Sequence, residues 1–352
     1  MRRIRILVVD DSVVARRVIS DILSEESDFE VVGTAPNGRL ALAKIERLDP
    51  DLVTLDIDMP ELDGIETLSA IRQSHPRTRV IMVSNHTQRG ASITVEALFL
   101  GASDYVTKAA KSSSRESARV YLSEQLVPKV RALSFPTTAV QKKAPATTRV
   151  ATARRKTAPA VKIVVIGAST GGPNALTAVL EALPADFPAP VLIVQHLPKN
   201  FTKFFAQRLD AACALTVHEA TDGARIAPGA VWIAPGDLHL EVQSTARGIV
   251  LATTVGPLVN SCRPAADVLF RTAATCYGAA TLAVVLTGMG QDGLDGCRRI
   301  REVGGQIIVQ DKATSVVWGM PGQVTEAGLA EAVLPISDVG AEVIRRVGKS
   351  RK

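Results

Sequence analysis

The 352-residue chain is predicted to fold as two α/β domains, each a doubly wound parallel sheet, joined by a basic linker. Three observations carry this expectation. Short apolar runs alternate with amphipathic helical stretches in both halves, which is the pattern of successive strand-helix-strand units. The length exceeds that of a usual single domain, and each half is long enough to bury its own core. Aromatic residues are only 4% of the chain, so its apolar content is mainly Val, Ile, Leu and Ala, which suits parallel strands buried on both faces.

In the first half the strand-like runs are Ile4–Val9, Phe29–Thr34, Leu52–Leu55, Val80–Val83 and Ser103–Val106, with helical stretches between them and a last one reaching about Arg131. In such sheets the functional groups lie beyond the carboxyl ends of the strands. Asp10 and Asp11 end the first run, Asp56 the third and Ser84 the fourth, and Lys108 follows the fifth. Taken singly, each has an ordinary role: the Asp pair caps the next helix, and Lys108 is a surface lysine. Together, three carboxylates at adjacent strand ends form a hard-oxygen pocket suited to Mg²⁺, and a lysine and a hydroxyl opposite them suit a phosphoryl group.

Between Gln125 and Leu180 there is no acid, whereas nine Lys and Arg residues occur, more than the net charge of +6 for the whole chain. The basicity is therefore assigned to the middle of the chain, and the remainder is slightly acidic. Ser134–Ala160 is rich in Thr, Ala, Pro and basic residues without apolar periodicity, as expected of a solvated linker. It lacks the interleaved aromatics and the reading helix of a nucleic-acid-binding arm. The expected domains are 1–131 and 161–349, with 132–160 as the linker.

Beyond the linker, Lys162–Ile166, Val191–Gln195, Val231–Ala234 and Leu282–Leu286 read as buried strands. The first runs into Gly167-Ala168-Ser169-Thr170-Gly171-Gly172. The spacing Gly167-x-Ser169-x-Gly171 fits a nucleophile elbow, in which small neighbours let the chain turn and leave the serine oxygen exposed. A glycine-rich turn that binds phosphate is the plainer alternative, although neither the Walker A nor the dinucleotide fingerprint is complete. A serine nucleophile needs a base and a group that orients the base, so the five histidines are ranked. His75 and His86 lie in the other half, His218 fits an ordinary strand position, and His239 fits a hairpin or a site rim. His196 ends the apolar strand Val191–Gln195, and Asp292 follows another strand through a glycine-rich turn. The three strand-end loops are expected to converge on one cleft. The order Ser169, His196, Asp292 differs from the Ser, acid, His order of α/β-hydrolases, which makes the elbow convergent.

The first half resembles the response-regulator receivers of two-component signalling, in Val8-Val9-Asp10-Asp11-Ser12, in Leu55-Asp56-Ile57-Asp58-Met59-Pro60-Glu61-Leu62-Asp63-Gly64 and in Gly101-Ala102-Ser103-Asp104-Tyr105-Val106-Thr107-Lys108. The resemblance implies a flavodoxin-like domain in which Asp56 accepts phosphate from a histidine kinase. Asp11, Asp56 and the carbonyl of Asp58 would hold Mg²⁺ with Asp10 close by, Ser84 and Lys108 would bind phosphoryl oxygens, and Tyr105 would be the switch aromatic. Ala109 departs from the proline usual in that family after the lysine.

The second half resembles the catalytic domain of chemotaxis protein-glutamate methylesterases, the CheB family. The matching segments are Gly167–Pro173, Gln195-His196, Ile233–Asp237, Arg263-Pro264, Leu286–Gly293 and Gln310–Pro321. The resemblance implies hydrolysis of glutamate methyl esters on methyl-accepting chemotaxis receptors, with release of methanol. Ser169 would form an acyl-enzyme, His196 would act as general base and then acid, Asp292 would orient His196, and the Met289 N–H would donate to the oxyanion. No cofactor is expected for the hydrolysis itself. Some members also deamidate receptor glutamines, so both activities stand open here. Leu238 and Lys312 depart from residues common in that family.

Cysteines 213, 262, 276 and 297 are widely spaced with no Cys-x-x-Cys, and no apolar stretch approaches the roughly 18 residues needed to span a bilayer. A cytoplasmic protein is expected, without disulfides, structural zinc, nucleic-acid partners or direct membrane insertion. Its partners are expected to be chemoreceptors and a chemotaxis histidine kinase.

Overall fold

The computed structural model describes residues 2–85, 87–108, 115–134, 160–246 and 248–348. Ala109, His86 and positions 135–159 of the expected linker lie outside the described residues. The chain divides into two units, Met1–Pro136 and Thr137–Lys352.

The first unit runs β1 (Ile4–Val9), α1 (Val13–Ser24), β2 (Phe29–Ala35), α2 (Gly38–Leu48), β3 (Leu52–Asp56), α3 (Gly64–Ser74), β4 (Arg79–Ser84), α4 (Gln88–Phe99), β5 (Asp104–Thr107) and α5 (Arg115–Ser134). Its strands form one parallel sheet in the order β2-β1-β3-β4-β5, the flavodoxin-like order. Every residue of β3 is buried, as a central strand covered on both faces requires. The helices begin where short polar side chains satisfy free N–H groups: Ser12, Asn37 and Thr87 each accept from an amide of the first turn, and Asp63 and Glu66 form a reciprocal capping box.

Helix α5 passes the expected domain end at Arg131 and continues to Ser134, with Leu133 buried. Two of the nine cations assigned to the middle of the chain therefore belong to this unit. Arg131 donates to both oxygens of Asp28 at 3.0 and 3.1 Å and to Glu26 at 2.8 Å, and Lys129 donates to Asp104 at 2.8 Å. Both lie within the expected first domain, where acids distant in sequence pair with them after folding.

The second unit runs β6 (Ile163–Ala168), α6 (Gly172–Glu181), β7 (Val191–Gln195), α7 (Phe201–Ala212), β8 (Thr216–Glu219), β9 (Ala230–Ile233), β10 (His239–Thr245), β11 (Gly248–Thr254), α8 (Ala266–Tyr277), β12 (Thr281–Val285), α9 (Leu294–Glu302), β13 (Gln306–Gln310), α10 (Met320–Glu326), β14 (Ala332–Leu334) and α11 (Ile336–Val347). Seven strands form a parallel sheet ordered β14-β13-β12-β6-β7-β9-β8, and β10 and β11 form a separate antiparallel hairpin. Alternate strand residues serve opposite faces. Ile163, Val165, Leu192, Val194, Ala283 and Val285 pack with Leu269 and Phe270 of α8, Ile300 of α9 and Met320 of α10. Their neighbours Val164, Ile166, Val191, Ile193 and Val284 are equally buried on the other face, which α6, α7 and α11 cover.

Strand β8, which carries His218, and strands β13 and β14 extend the sheet beyond the four buried strands read from the sequence. Among the described residues no helix is long and apolar enough to cross a membrane. The contact between α8 and α9 is close at Gly296, where a Cβ would stand 2.4 Å from Phe270 Cβ. Gly296→Ala is expected to cost about 1–3 kcal/mol through overpacking. Calorimetry of the full chain should show one unfolding transition with a lowered midpoint, and an unchanged midpoint would contradict the packing described.

Candidate active site

Three neighbouring strands of the second sheet, β12, β6 and β7, deliver Asp292, Ser169 and His196 to one edge. The register fixes the alignment. Ala168 pairs with Gln195, His196 N–H donates to the Ala168 carbonyl at 3.1 Å, and Ser169 N–H donates to the Thr287 carbonyl at 3.0 Å. The turn into α6 is made by Gly171 at φ 77°, the left-handed conformation that favours glycine. A Cβ there would also lie 2.6 Å from Val316. The Gln195 side-chain amide donates to the Ser169 carbonyl at 2.9 Å and holds the turn against β7.

Asp292 is buried and receives five hydrogen bonds. Oδ2 accepts from His196 Nε2 at 2.8 Å and from Ala266 N–H at 2.6 Å. Oδ1 accepts from Asp267 N–H at 3.1 Å, Gly293 N–H at 3.0 Å and Asn260 Nδ2 at 3.2 Å. Two of these donors are the first amides of α8, so the carboxylate sits where the helix dipole favours an anion. Burial alone would push the Asp292 carboxyl up, but the hydrogen bond and charge of His196 and the two helix amides together hold it below the usual carboxylate range.

In the neutral ring, a carboxylate as acceptor places the proton of His196 on Nε2 and leaves Nδ1 with a lone pair. Cys262 Sγ lies 3.6 Å from Nδ1. Among the described residues no hydrogen bond joins Ser169 Oγ to His196. Burial opposes the charged imidazolium, yet the hydrogen bond to Asp292, followed by the contact with Cys262, outweighs burial and raises the histidine above its ordinary value.

Met289 follows Gly288, whose missing side chain permits a close approach: a Cβ on Gly288 would lie 2.8 Å from Ser169 Cβ. Among the described residues the Met289 N–H has no acceptor, which leaves a donor beside the serine. The cleft thus gathers a hydroxyl, an imidazole oriented by a buried carboxylate and a free amide. These are the parts that acyl transfer to serine requires.

Two participants were not read from the sequence. Asn260, left-handed at φ 50°, donates to Asp267 at 2.8 Å as well as to Asp292, and Asp267 accepts from Gly296 N–H at 2.6 Å. His239, placed at a hairpin or rim by sequence, begins β10, and its ring spans the loop that carries Asn260 and Cys262. It donates from Nε2 to the Pro257 carbonyl at 2.9 Å and accepts at Nδ1 from Ala265 N–H at 3.3 Å. The one sequence signal near these residues is the Arg263-Pro264 segment.

In the first unit, carboxylate oxygens of Asp10, Asp11 and Asp56 lie within 4.8 Å of one another. Lys108 Nζ reaches Asp10 at 2.8 Å and Asp56 at 3.0 Å. Burial raises the Asp56 carboxyl to about 6 against the pull of Lys108, while burial works against the Lys108 ammonium and the charges of Asp56 and Asp10 raise it. Ser84 Oγ is buried without a hydrogen-bond partner at the end of β4. Asp58 is exposed on the loop after β3 and lines a cleft together with Asp11. Tyr105 lies on β5 with Lys129 Nζ 4.8 Å above its ring.

Comparison with known proteins covers both units. The family model described as CheB methylesterase matches residues 164–343, and the response regulator receiver domain model matches residues 6–117. A protein-glutamate methylesterase/protein-glutamine glutaminase of Trichodesmium erythraeum is 50% identical over 352 residues, covering 99% of this chain and all of that protein. The protein of the same description from Thermotoga maritima is 45% identical and covers 98% of this chain and 99% of its own length. The crystal structure of the Thermotoga maritima CheB methylesterase catalytic domain matches at a TM-score of 0.52 and 45% identity, over 53% of this chain and 99% of that domain.

The hydrogen bond and charge of Asp292 hold the His196 ring above its ordinary value. Asp292→Asn should therefore move the His196 titration to lower pH in a ring NMR experiment, and an unchanged titration would contradict the electrostatic role given to Asp292.

Proposed function

The chain belongs to the CheB methylesterase family and carries a response regulator receiver domain, and from that premise we propose that it is a phosphorylation-activated protein-glutamate methylesterase working through Ser169, His196 and Asp292. The observation that carries the reading is the 2.8 Å bond between His196 and the buried Asp292, on strand ends directly beside Ser169.

In the proposed reaction Ser169 Oγ attacks the ester carbonyl of a methylated receptor glutamate while His196 Nδ1 takes its proton. Met289 N–H donates to the developing oxyanion. Collapse of the tetrahedral intermediate expels methanol, which leaves with the proton from Nδ1. Water then attacks the acyl-serine by the same route in reverse, and free glutamate is released. Asp292 holds the ring with Nδ1 toward the substrate and supports the imidazolium. A receptor glutamine would pass through the same intermediate with ammonia as leaving group, in keeping with the glutaminase activity in the relatives' description.

We assign control to the first unit, with the expected receiver 1–131 lengthened to Ser134 by the end of α5, the linker from there to 160, and 161–349 as catalytic domain. Asp56 is the proposed acceptor of phosphate from a histidine kinase. The clustered oxygens of Asp10, Asp11 and Asp56 fit a hard divalent cation, and they would hold Mg²⁺ together with the Asp58 carbonyl. Bound there, Mg²⁺ would offset the negative charge gathered on phosphorylation. Lys108 offers its ammonium to phosphoryl oxygens, and the unpartnered Ser84 hydroxyl offers a donor that the resting pocket does not use. Tyr105 is the aromatic expected to respond when Ser84 moves. No cofactor is assigned to the hydrolysis. The proposed compartment is the cytoplasm, where the receptor's methylated helices and the kinase lie.

Ser169→Ala should abolish methanol release from methylated receptor without loss of folded structure, since one oxygen is removed and little packing. Retained esterase activity in the purified variant would overturn the serine assignment. For control, Asp56→Asn should stay at the basal rate when a small phosphodonor and Mg²⁺ are supplied, whereas the unaltered chain accelerates. Deleting residues 1–150 should raise the rate above that of the unphosphorylated protein. A truncated enzyme no faster than the resting chain would rule out inhibition by the receiver.

A further inference from the structure

The base nitrogen of His196 has a second claimant. Val259 and Cys262 close a tight turn by exchanging backbone hydrogen bonds at 3.1 and 2.9 Å, with Asn260 and Ser261 both left-handed at φ 50° and 61°. The turn is fixed from below by Asn260, bonded to Asp267 and Asp292, and from behind by His239. This brings Cys262 Sγ to 3.6 Å from His196 Nδ1, while Asp292 holds Nε2. Sulfur, imidazole and buried carboxylate stand in the order that activates a cysteine nucleophile.

The other three thiols differ. Cys213 and Cys276 direct their sulfurs at backbone carbonyls, Leu215 and Val242, both at 3.4 Å, and Cys297 is buried. Burial raises all three thiols above the ordinary value, which suppresses their reactive thiolates. Cys262 is half-buried, like Cys213 and Cys276, and is the thiol among the four whose partner is a base.

We propose that Cys262 is a modification site for small soft electrophiles, activated by His196 and Asp292, and that its capture shuts down the ester hydrolysis that uses the same imidazole. The inference rests on the proposed role of His196 for its consequence, though not for the reactivity itself. With iodoacetamide as probe, Nδ1 takes the thiol proton, Sγ attacks the methylene carbon, the carbon–sulfur bond forms, and iodide leaves with the electron pair of the broken carbon–iodine bond. The added group then stands between Nδ1 and the ester.

The test treats the full-length folded protein with iodoacetamide at neutral pH and follows each cysteine peptide by mass spectrometry. Cys262 should be alkylated about tenfold or more faster than Cys213 and Cys276, and His196→Gln should slow Cys262 by about tenfold while leaving Cys213 unchanged. Slow labelling of buried Cys297 in both proteins reports that each is folded. Methanol release by the unaltered protein should fall in step with Cys262 alkylation, and the activity that remains in Cys262→Ala should resist the reagent. Labelling of Cys262 no faster than Cys213, or a rate indifferent to His196→Gln, would overturn the activation. Full activity after complete alkylation would overturn the coupling to hydrolysis. Labelling is read by mass alone, so a serine assignment that fails leaves the reactivity result intact, and the reverse also holds.

Discussion

The hydrogen bond from His196 Nε2 to Asp292 Oδ2 decides what the rest of the catalytic unit can do. It fixes the tautomer of the ring, and with it the nitrogen that faces the cleft. The bond is only as firm as its acceptor, and the acceptor is held by four further donors. The first turn of α8 supplies two, the backbone of Gly293 a third, and Asn260 the fourth. A carboxylate so bound remains an anion despite burial, and it can both orient the ring and balance the positive charge that ring acquires.

That constraint explains why the loop before α8 is built with such care. His239 ties the loop's two ends through both ring nitrogens, and two consecutive left-handed residues turn it back toward the cleft. The same turn that lets Asn260 reach Asp292 carries Cys262 to the other side of the imidazole. Orientation of the base and exposure of a thiol to it are thus consequences of one piece of backbone. In the receiver unit the arrangement is different: Asp10, Asp56 and Lys108 compensate one another's charge, while the buried Ser84 hydroxyl has no hydrogen-bond partner.

Much of this was legible in the sequence because the information is local. Strand-end residues of a parallel sheet can be read from where an apolar run stops, so Asp10, Asp11, Asp56, Ser84, Ser169 and His196 fall at the edge where they were expected. The pairing of β6 with β7 brings the loops of Ser169 and His196 together, in keeping with the expected convergence of strand-end loops. What escaped depends on contacts between distant segments. Nothing near Asn260 or Asp267 announces that they meet Asp292, and Cys262 reads as one of four scattered cysteines until the turn folds. Strand β14, at the edge of the sheet, is three residues long and too short for a periodic signal. The pairing of Arg131 with Glu26 and Asp28 is likewise invisible to a count of charges along the chain.

In the proposed mechanism Ser169 is a nucleophile because His196 accepts its proton. The most direct measurement is covalent trapping with a fluorophosphonate, with the adduct located by fragmentation of the modified peptide. The expected result is a single phosphonylated residue, Ser169, in the unaltered protein and loss of that adduct in His196→Gln. An adduct elsewhere, or one that forms at Ser169 equally well without the imidazole, would contradict it.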